Sequence, residues 1–344
     1  MRKKWRFITL LLVVNVWCGG DYGNAAKAEL AATELQLSLP VICQMGTLCT
    51  IQNYVDLDPG PGAKDYTCGR LVYNGHKGTD FRLPDSSWLD LNIPVVAAAL
   101  GQVVGIRNNV RDHLPGKYAL ERIKGRECGN GVLIDHGEGW RTQYCHMRRG
   151  SIRVRKGEKV TSRRRLGTMG LSGKTEFPHL HFSVTFQGKV VDPFVGKDVQ
   201  GVCGIEGKPL WNSDVMAELS YQPSGVLSMG FTDKVPTQNQ VVSGDHRHIR
   251  IGRNAPNLVF WVMIYGLQPK DEEMLQVTDP NGRVLFRKKA SPATNHKARW
   301  FTYSGRRARN PWARGTYEGK YQLLRLVGGE KKVVLNKTTR VRIE

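Results

Sequence analysis

The sequence predicts a mainly β chain built from two β domains in succession, and three observations carry that prediction. Short β-branched or alternating runs recur between Gly, Asn and Pro punctuation along most of the chain. Around residues 196–225 that pattern dissolves into Gly, Pro and Ser, as a linker would. Beyond the N-terminal 28 residues the chain runs on for roughly 316 more, enough for two domains with separate cores.

In chain order, residues 1–28 read as a signal peptide. Met-Arg-Lys-Lys-Trp-Arg carries four positive charges, and an apolar run extends from Phe7 to Trp17. The run is too short to cross a bilayer. Small residues near Ala26 and Ala28 offer cleavage points. Asn15, Val16 and Trp17 are poor company for a lipid-anchoring Cys18, so no lipid anchor is expected. No later apolar run has spanning length, so no transmembrane segment is expected in the mature chain.

Residues 29–60 read as an N-terminal extension and 61–200 as the first β domain. Its strands are expected around Val95–Ala98, Gly101–Ile106, Gly131–Asp135 and Leu180–Val184. The basic stretch from Arg107 to Glu127, with Pro115 and Gly116, reads as a long inserted surface loop. Residues 201–224 form the linker, with a short helix from Ser213 to Leu219. Beyond it, 225–344 reads as a smaller antiparallel β-sandwich, from Leu258–Ile264, Leu275–Thr278, Arg283–Phe286 and Gly319–Leu323.

Six cysteines lie beyond the signal segment: Cys43, Cys49, Cys68, Cys128, Cys145 and Cys203. An even count in an exported chain points to three disulfides and an oxidising compartment. Cys43 and Cys49 can close a local loop, and Cys128 and Cys145 flank a hairpin. Cys68 and Cys203 are then left to tie together the ends of their domain.

Charge is uneven. Between Ser220 and Glu344 stand 22 Lys and Arg against 9 Asp and Glu, so that part holds +13 of the chain's net +21. Such a field favours an anionic partner, such as cell-wall polymers or lipid headgroups; a solvated basic surface explains it equally well, and no specific nucleic-acid target is expected.

A split set of metal-binding residue types carries the chemistry. His76 and Asp80 stand four apart in Asn-Gly-His-Lys-Gly-Thr-Asp, where Asn74-Gly75, Gly78 and Pro84 favour a turn feeding a strand over a helix. His179 and His181 stand two apart on a β run, so both rings leave one face. Two imidazoles and a carboxylate can hold a catalytic zinc with a fourth position open. Which of His179 and His181 would be the ligand stays open on this reading. His146 ends the second arm of the hairpin from Gly131 to Cys145, and a spare imidazole beside such a site can take a proton or stabilise an oxyanion.

The ordered segments His76-Lys-Gly-Thr-Asp80-Phe, Gly129-Asn-Gly-Val-Leu-Ile-Asp-His-Gly, Thr142-Gln-Tyr-Cys-His146-Met, Gly170-Leu-Ser-Gly, Pro178-His-Leu-His-Phe182 and Val191-Asp-Pro193 resemble the successive motifs of lysostaphin-like (LytM-type) zinc endopeptidases. That family cuts peptide bonds in bacterial peptidoglycan. The resemblance covers roughly residues 70–195 and implies a LytM-type antiparallel β-sheet catalytic domain within 61–200, with a peptidoglycan peptide as its substrate. It implies His76, Asp80 and His181 as ligands of one zinc ion, with His146 and His179 as catalytic histidines. Two departures stand out. Ser183 occupies a place where the family commonly has an acidic residue, and Glu176-Phe177 stands where small residues usually precede Pro-His. The implied protein is exported to the periplasm or cell envelope, or secreted. The alternatives are a catalytically silent zinc-binding activator of other wall hydrolases and a wall- or polyanion-binding module.

Other candidates carry less. His246 and His248 form a second His-x-His without the flanking motifs and read as surface or loop residues. His113 and His296 lie in polar loops and suggest nothing, and His136 reads as structural in its hairpin turn. Trp300, Tyr303, Trp312, Tyr317 and Tyr321, interleaved with arginines, suit either a stacking surface or a sandwich core.

Overall fold

The computed structural model describes residues 35–113, 123–199, 201–246 and 250–344. The expected signal segment, Cys18 and His248 lie outside the described residues, as does the middle of the inserted loop. No described helix is long and apolar enough to cross a membrane. Residues 35–344 form one compact unit.

The first part is built on strands β1 (Thr50–Asn53), β2 (Thr79–Arg82), β3 (Pro94–Val96), β4 (Gly101–Arg107), β5 (Asn130–Gly137), β6 (Trp140–Met147), β7 (Lys159–Val160), β8 (Arg165–Thr168), β9 (His179–Phe186) and β10 (Lys189–Val191). Among the described residues, eight of them form an antiparallel sheet in the order β1-β2-β9-β6-β5-β4-β7, with β10 paired to β9. β3 and β8 form a separate pair. β1 comes from the stretch read as an extension, and its pairing with β2 brings it beside the central strands.

Alternation sets the two faces of this sheet. Phe81, Leu180, Phe182 and Tyr144 are fully buried in the main apolar cluster, while Asp80, His179 and His181 leave the other face. The short helix α1 (Ser213–Glu218) forms as expected, capped by the Asn212 side chain, which accepts from the Val215 amide. The segment read as a linker also packs: Leu210, Trp211, Val215 and Leu219 are buried in the same cluster. Three disulfides join Cys43 to Cys49, Cys68 to Cys203 and Cys128 to Cys145, the pairing that the spacing suggests.

The C-terminal part contains β11 (Gly225–Thr232), α2 (Gln238–Ser243), β12 (Asn257–Leu267), β13 (Glu272–Thr278), β14 (Val284–Lys289), β15 (Lys297–Arg307), β16 (Gly315–Val327) and β17 (Glu330–Ile343). They form a three-stranded sheet, β11-β12-β15, and a four-stranded sheet, β14-β13-β16-β17, both antiparallel. α2 was not expected; its capping box joins Thr237 and Gln240.

β12 explains its own composition. Leu258-Val-Phe-Trp-Val-Met-Ile264 lacks alternation because both faces are buried. Leu258, Phe260, Val262 and Ile264 join the sandwich core, whereas Trp261, Met263 and Tyr265 join the cluster under the eight-stranded sheet. The aromatics resolve mostly as core: Trp312, Tyr317 and Tyr321 are buried in the sandwich. Trp300 donates to Glu273, and Tyr303 is exposed.

Candidate metal centre

Strand register assembles the site. Asp80 on β2 pairs with His181 on β9, which also pairs with Cys145 on β6, so the residue after Cys145 arrives beside it. His76 reaches the same point from the turn before β2. Gly78 permits that turn to lie close, because a Cβ there would fall 2.8 Å from the His181 ring.

The atoms His76 Nε2, Asp80 Oδ1 and His181 Nδ1 make a triangle with edges of 3.2, 2.9 and 3.1 Å. The outer atoms fix their roles. His76 Nδ1 donates to the Tyr54 carbonyl at 2.6 Å, which leaves Nε2 as a lone pair in the neutral ring. His181 Nε2 meets Ser183 Oγ at 2.9 Å, so the serine supplies an outer partner at the position where the sequence departs from the family. Asp80 Oδ2 accepts from the Asn53 amide at 2.8 Å.

Electrostatics at this point call for positive charge. Burial would raise the Asp80 carboxyl, but His76 and His179 beside it outweigh burial and hold it well below the usual range. Burial would lower His76, yet the Asp80 carboxylate turns its net direction upward. Burial lowers His181, with Asp80 opposing. Two lone pairs and a buried carboxylate facing each other at about 3 Å need a proton or a cation between them. A tetrahedral zinc at about 2.0–2.1 Å from nitrogen spaces its ligand atoms by about 3.3 Å, close to the observed edges. The donor set fits zinc.

His146 and His179 flank the triangle. Their ring centroids are 4.6 Å apart, and His146 lies 6.0 Å from the His181 ring. His146 Nδ1 donates to the Ser172 carbonyl at 2.8 Å, and burial, then His179 and His181, push its pKa well below the ordinary value. His179 Nδ1 donates to the Phe177 carbonyl at 2.9 Å, and its Nε2 lies 3.4 Å from Asp80 Oδ1. All five candidate residues therefore converge, with Asp80, His146, His179 and His181 lining one cleft and His76 buried beside them.

Among the described residues the other histidines stand apart from it, with one exception. His136 bonds to the Leu100 carbonyl and Thr142, and His113 to the Gly173 carbonyl. His246 is half-buried near Trp261 in the C-terminal part. His296, which the sequence left without a role, lines the cleft together with Lys297 and Arg299. Sequence reasoning also missed Asn53 and Tyr54. Both lie in the stretch read as an N-terminal extension, and no local pattern ties Asn53 to Asp80, 27 positions on.

The model of peptidase family M23 matches residues 74–193. The peptidoglycan DD-endopeptidase ShyA of Vibrio cholerae serotype O1 is 34% identical over 117 residues, which are 34% of this chain and 22% of that protein. The peptidoglycan DD-endopeptidase ShyB of the same organism is 30% identical over 132 residues, 38% of this chain and 25% of that protein. The chain thus spans about a quarter of the length of these two relatives. The lipoprotein NlpD of Yersinia enterocolitica is 31% identical over 100 residues, 29% of this chain and 84% of that protein. Among solved structures, a zinc-containing peptidase from Vibrio cholerae is similar at 25% identity with a TM-score of 0.27, over 41% of this chain and 38% of that one. His76, Asp80, His146, His179 and His181 all fall inside the matched segment, and the chain belongs to peptidase family M23.

Proposed function

We propose that the chain is an exported zinc-dependent endopeptidase that hydrolyses peptide bonds in the stem peptides or cross-links of peptidoglycan. The observation that carries this reading is the convergence of His76 Nε2, Asp80 Oδ1 and His181 Nδ1 with two further imidazoles beside them. The names of ShyA and ShyB supply the substrate class. In this reading His76, Asp80 and His181 hold one zinc ion. Bound there, zinc supplies Lewis acidity, polarising a carbonyl and lowering the pKa of water to near ~7.

The chain's own groups then divide the proton work. His146 donates through Nδ1, so its Nε2 keeps a lone pair. Its depressed pKa keeps the ring neutral at pH 7, the form able to take a proton from the attacking water. His179 also commits Nδ1 to a carbonyl, and its Nε2, when protonated, is placed to donate to the oxyanion that develops. The Phe177 and Ser172 carbonyls orient these two rings as the Tyr54 carbonyl orients His76.

Export is proposed from the charged-then-apolar N-terminus and from three disulfides, which persist in an oxidising compartment. The basic C-terminal part is proposed to hold the enzyme on anionic wall polymers or lipid headgroups. β17 supports this, with Lys331, Lys332, Lys337, Arg340 and Arg342 along one hairpin arm.

The deciding experiment incubates purified mature protein with isolated sacculi, with and without chelator, and weighs the released muropeptides. Chelator-sensitive products that His181→Ala abolishes are expected; absence of such products defeats the enzyme and leaves an activator. In the same assay, replacing Lys331, Lys332 and Lys337 by Glu should weaken sacculus binding at low salt. Unchanged binding would refute the docking role.

A further inference from the structure

The cleft over the metal centre has a volume of about 550 Å³, and the matched family segment supplies only part of its wall. Lys174, Glu176 and Phe177 line one side, while His296, Lys297 and Arg299 arrive from the C-terminal sheet at the start of β15. Lys297 and Arg299 are two apart on a strand and so share a face. With Asp80 counted toward the metal, three fixed cations in this wall face one carboxylate, Glu176.

That carboxylate is loosely held. Arg299 Nη2 lies 3.6 Å from Glu176 Oε2, and the Glu176 side chain is 60% exposed, so the pair is long, wet and weak. Behind the wall stands another cation. Arg82 is fully buried, with its guanidinium 4.3 Å from the centroid of the Phe177 ring. It donates to the Leu83 carbonyl and to Gln52, and Nη2 has no partner. Among the described residues no carboxylate forms an ion pair with it, so a buried positive charge lies directly beneath the cleft.

We propose that Arg299, Lys297 and Lys174 form a subsite for a free carboxylate on the substrate peptide, with Glu176 as the internal group that this carboxylate displaces. The inference rests on the peptidase reading and adds to it: the C-terminal sheet selects acidic peptides at the cleft itself. A guanidinium suits this because it binds a carboxylate through two parallel hydrogen bonds. The Glu176-Phe177 departure from the family then has a purpose. Phe177 stacks on Arg82, and Glu176 is a weakly held stand-in that an incoming carboxylate can replace.

The test measures binding without requiring turnover. A fluorescein-labelled stem peptide is prepared twice, with free carboxylates and with those carboxylates amidated, and titrated by anisotropy against the full mature chain with zinc. The free acid should bind about tenfold or more tightly than the amide, the scale of a charge-assisted hydrogen bond. Lys297→Ala with Arg299→Ala should erase that preference and leave affinity for the amide unchanged. Arg299→Lys should keep part of it, and Glu176→Gln should tighten the free acid alone. Equal affinity of the wild-type chain for the two peptides overturns the subsite, as does a double variant that loses both equally. A preference for the acid without any product from sacculi would sink the peptidase reading and leave the subsite standing. Turnover without a preference does the reverse.

Discussion

His146 takes a left-handed backbone conformation, with φ at 60°, although it is neither Gly nor Asn. Such a residue costs about 1–2 kcal/mol and persists only where its surroundings hold it. Here the His146 amide donates to the Cys128 carbonyl at 2.8 Å, and the preceding residue is tied to Cys128 by a disulfide. Ser172 fixes the ring from the other side and is itself fully buried, donating to the Met147 carbonyl and accepting from the Asn130 amide. The disulfide therefore positions the side chain proposed to take the proton from water. Replacing Cys128 and Cys145 together by Ser should lower kcat on muropeptides by about ten- to a hundredfold with a smaller change in KM, the scale of a catalytic group misplaced by about 1 Å. Full kcat in a folded double variant would make the bridge a stabilising staple only. Neither the left-handed turn nor its purpose was legible in Gln-Tyr-Cys-His. Alternation alone places Cys145 and His146 on opposite faces and says nothing of the break between them.

At the scale of elements, the segments with strong local signals were legible. Pro-His-Leu-His-Phe is β9, the hairpin around His136-Gly-Glu-Gly is β5 and β6, and the short helix after residue 212 is α1. Contacts made by residues distant in sequence were not: Asn53 reaches Asp80 only because β1 joins an edge of the sheet, and Lys297 reaches the cleft only through packing of the two parts. The turn after β10 shows what such burial does to a motif. Asp192 accepts from the Phe194 amide at 2.8 Å, and its other oxygen has no partner. Burial pushes its carboxyl from 3.8 up to about 7; the Phe194 amide opposes the shift, and Asp65 adds to it. The folded state therefore favours the protonated acid. Stability from this group is complete below pH ~4, declines as pH rises, and is lost above pH ~7. The loss is on the order of 4 kcal/mol at its upper limit. Asp192→Asn should flatten the fall in Tm between pH 4 and 8 relative to wild type. Parallel Tm profiles for the two proteins would show that Asp192 ionises without cost.

For the whole molecule, the decisive feature is that β12 belongs to two cores. The sequence reading separates a catalytic domain and a sandwich by a linker, and a chain of that kind would unfold in two steps. In the structure Trp261, Met263 and Tyr265 pack with Phe81, Phe182 and Trp211 in one cluster, while alternate residues of the same strand hold the sandwich. Met263 is fully buried, so Met263→Ala removes contacts on the side of the eight-stranded sheet and leaves the sandwich core intact. A buried Met→Ala change costs about 2–5 kcal/mol. If β12 couples the two parts, that cost should appear in both. Urea unfolding followed by a probe in each part should give coincident transitions, shifted together by the variant. The same coupling would hold Lys297 and Arg299 at a fixed distance from the metal centre, since β15 is hydrogen-bonded to β12 along its length. Two separated transitions, with only the one reporting the eight-stranded sheet moved by Met263→Ala, would show that the parts fold independently, and would remove the rigid support on which a shared substrate wall depends.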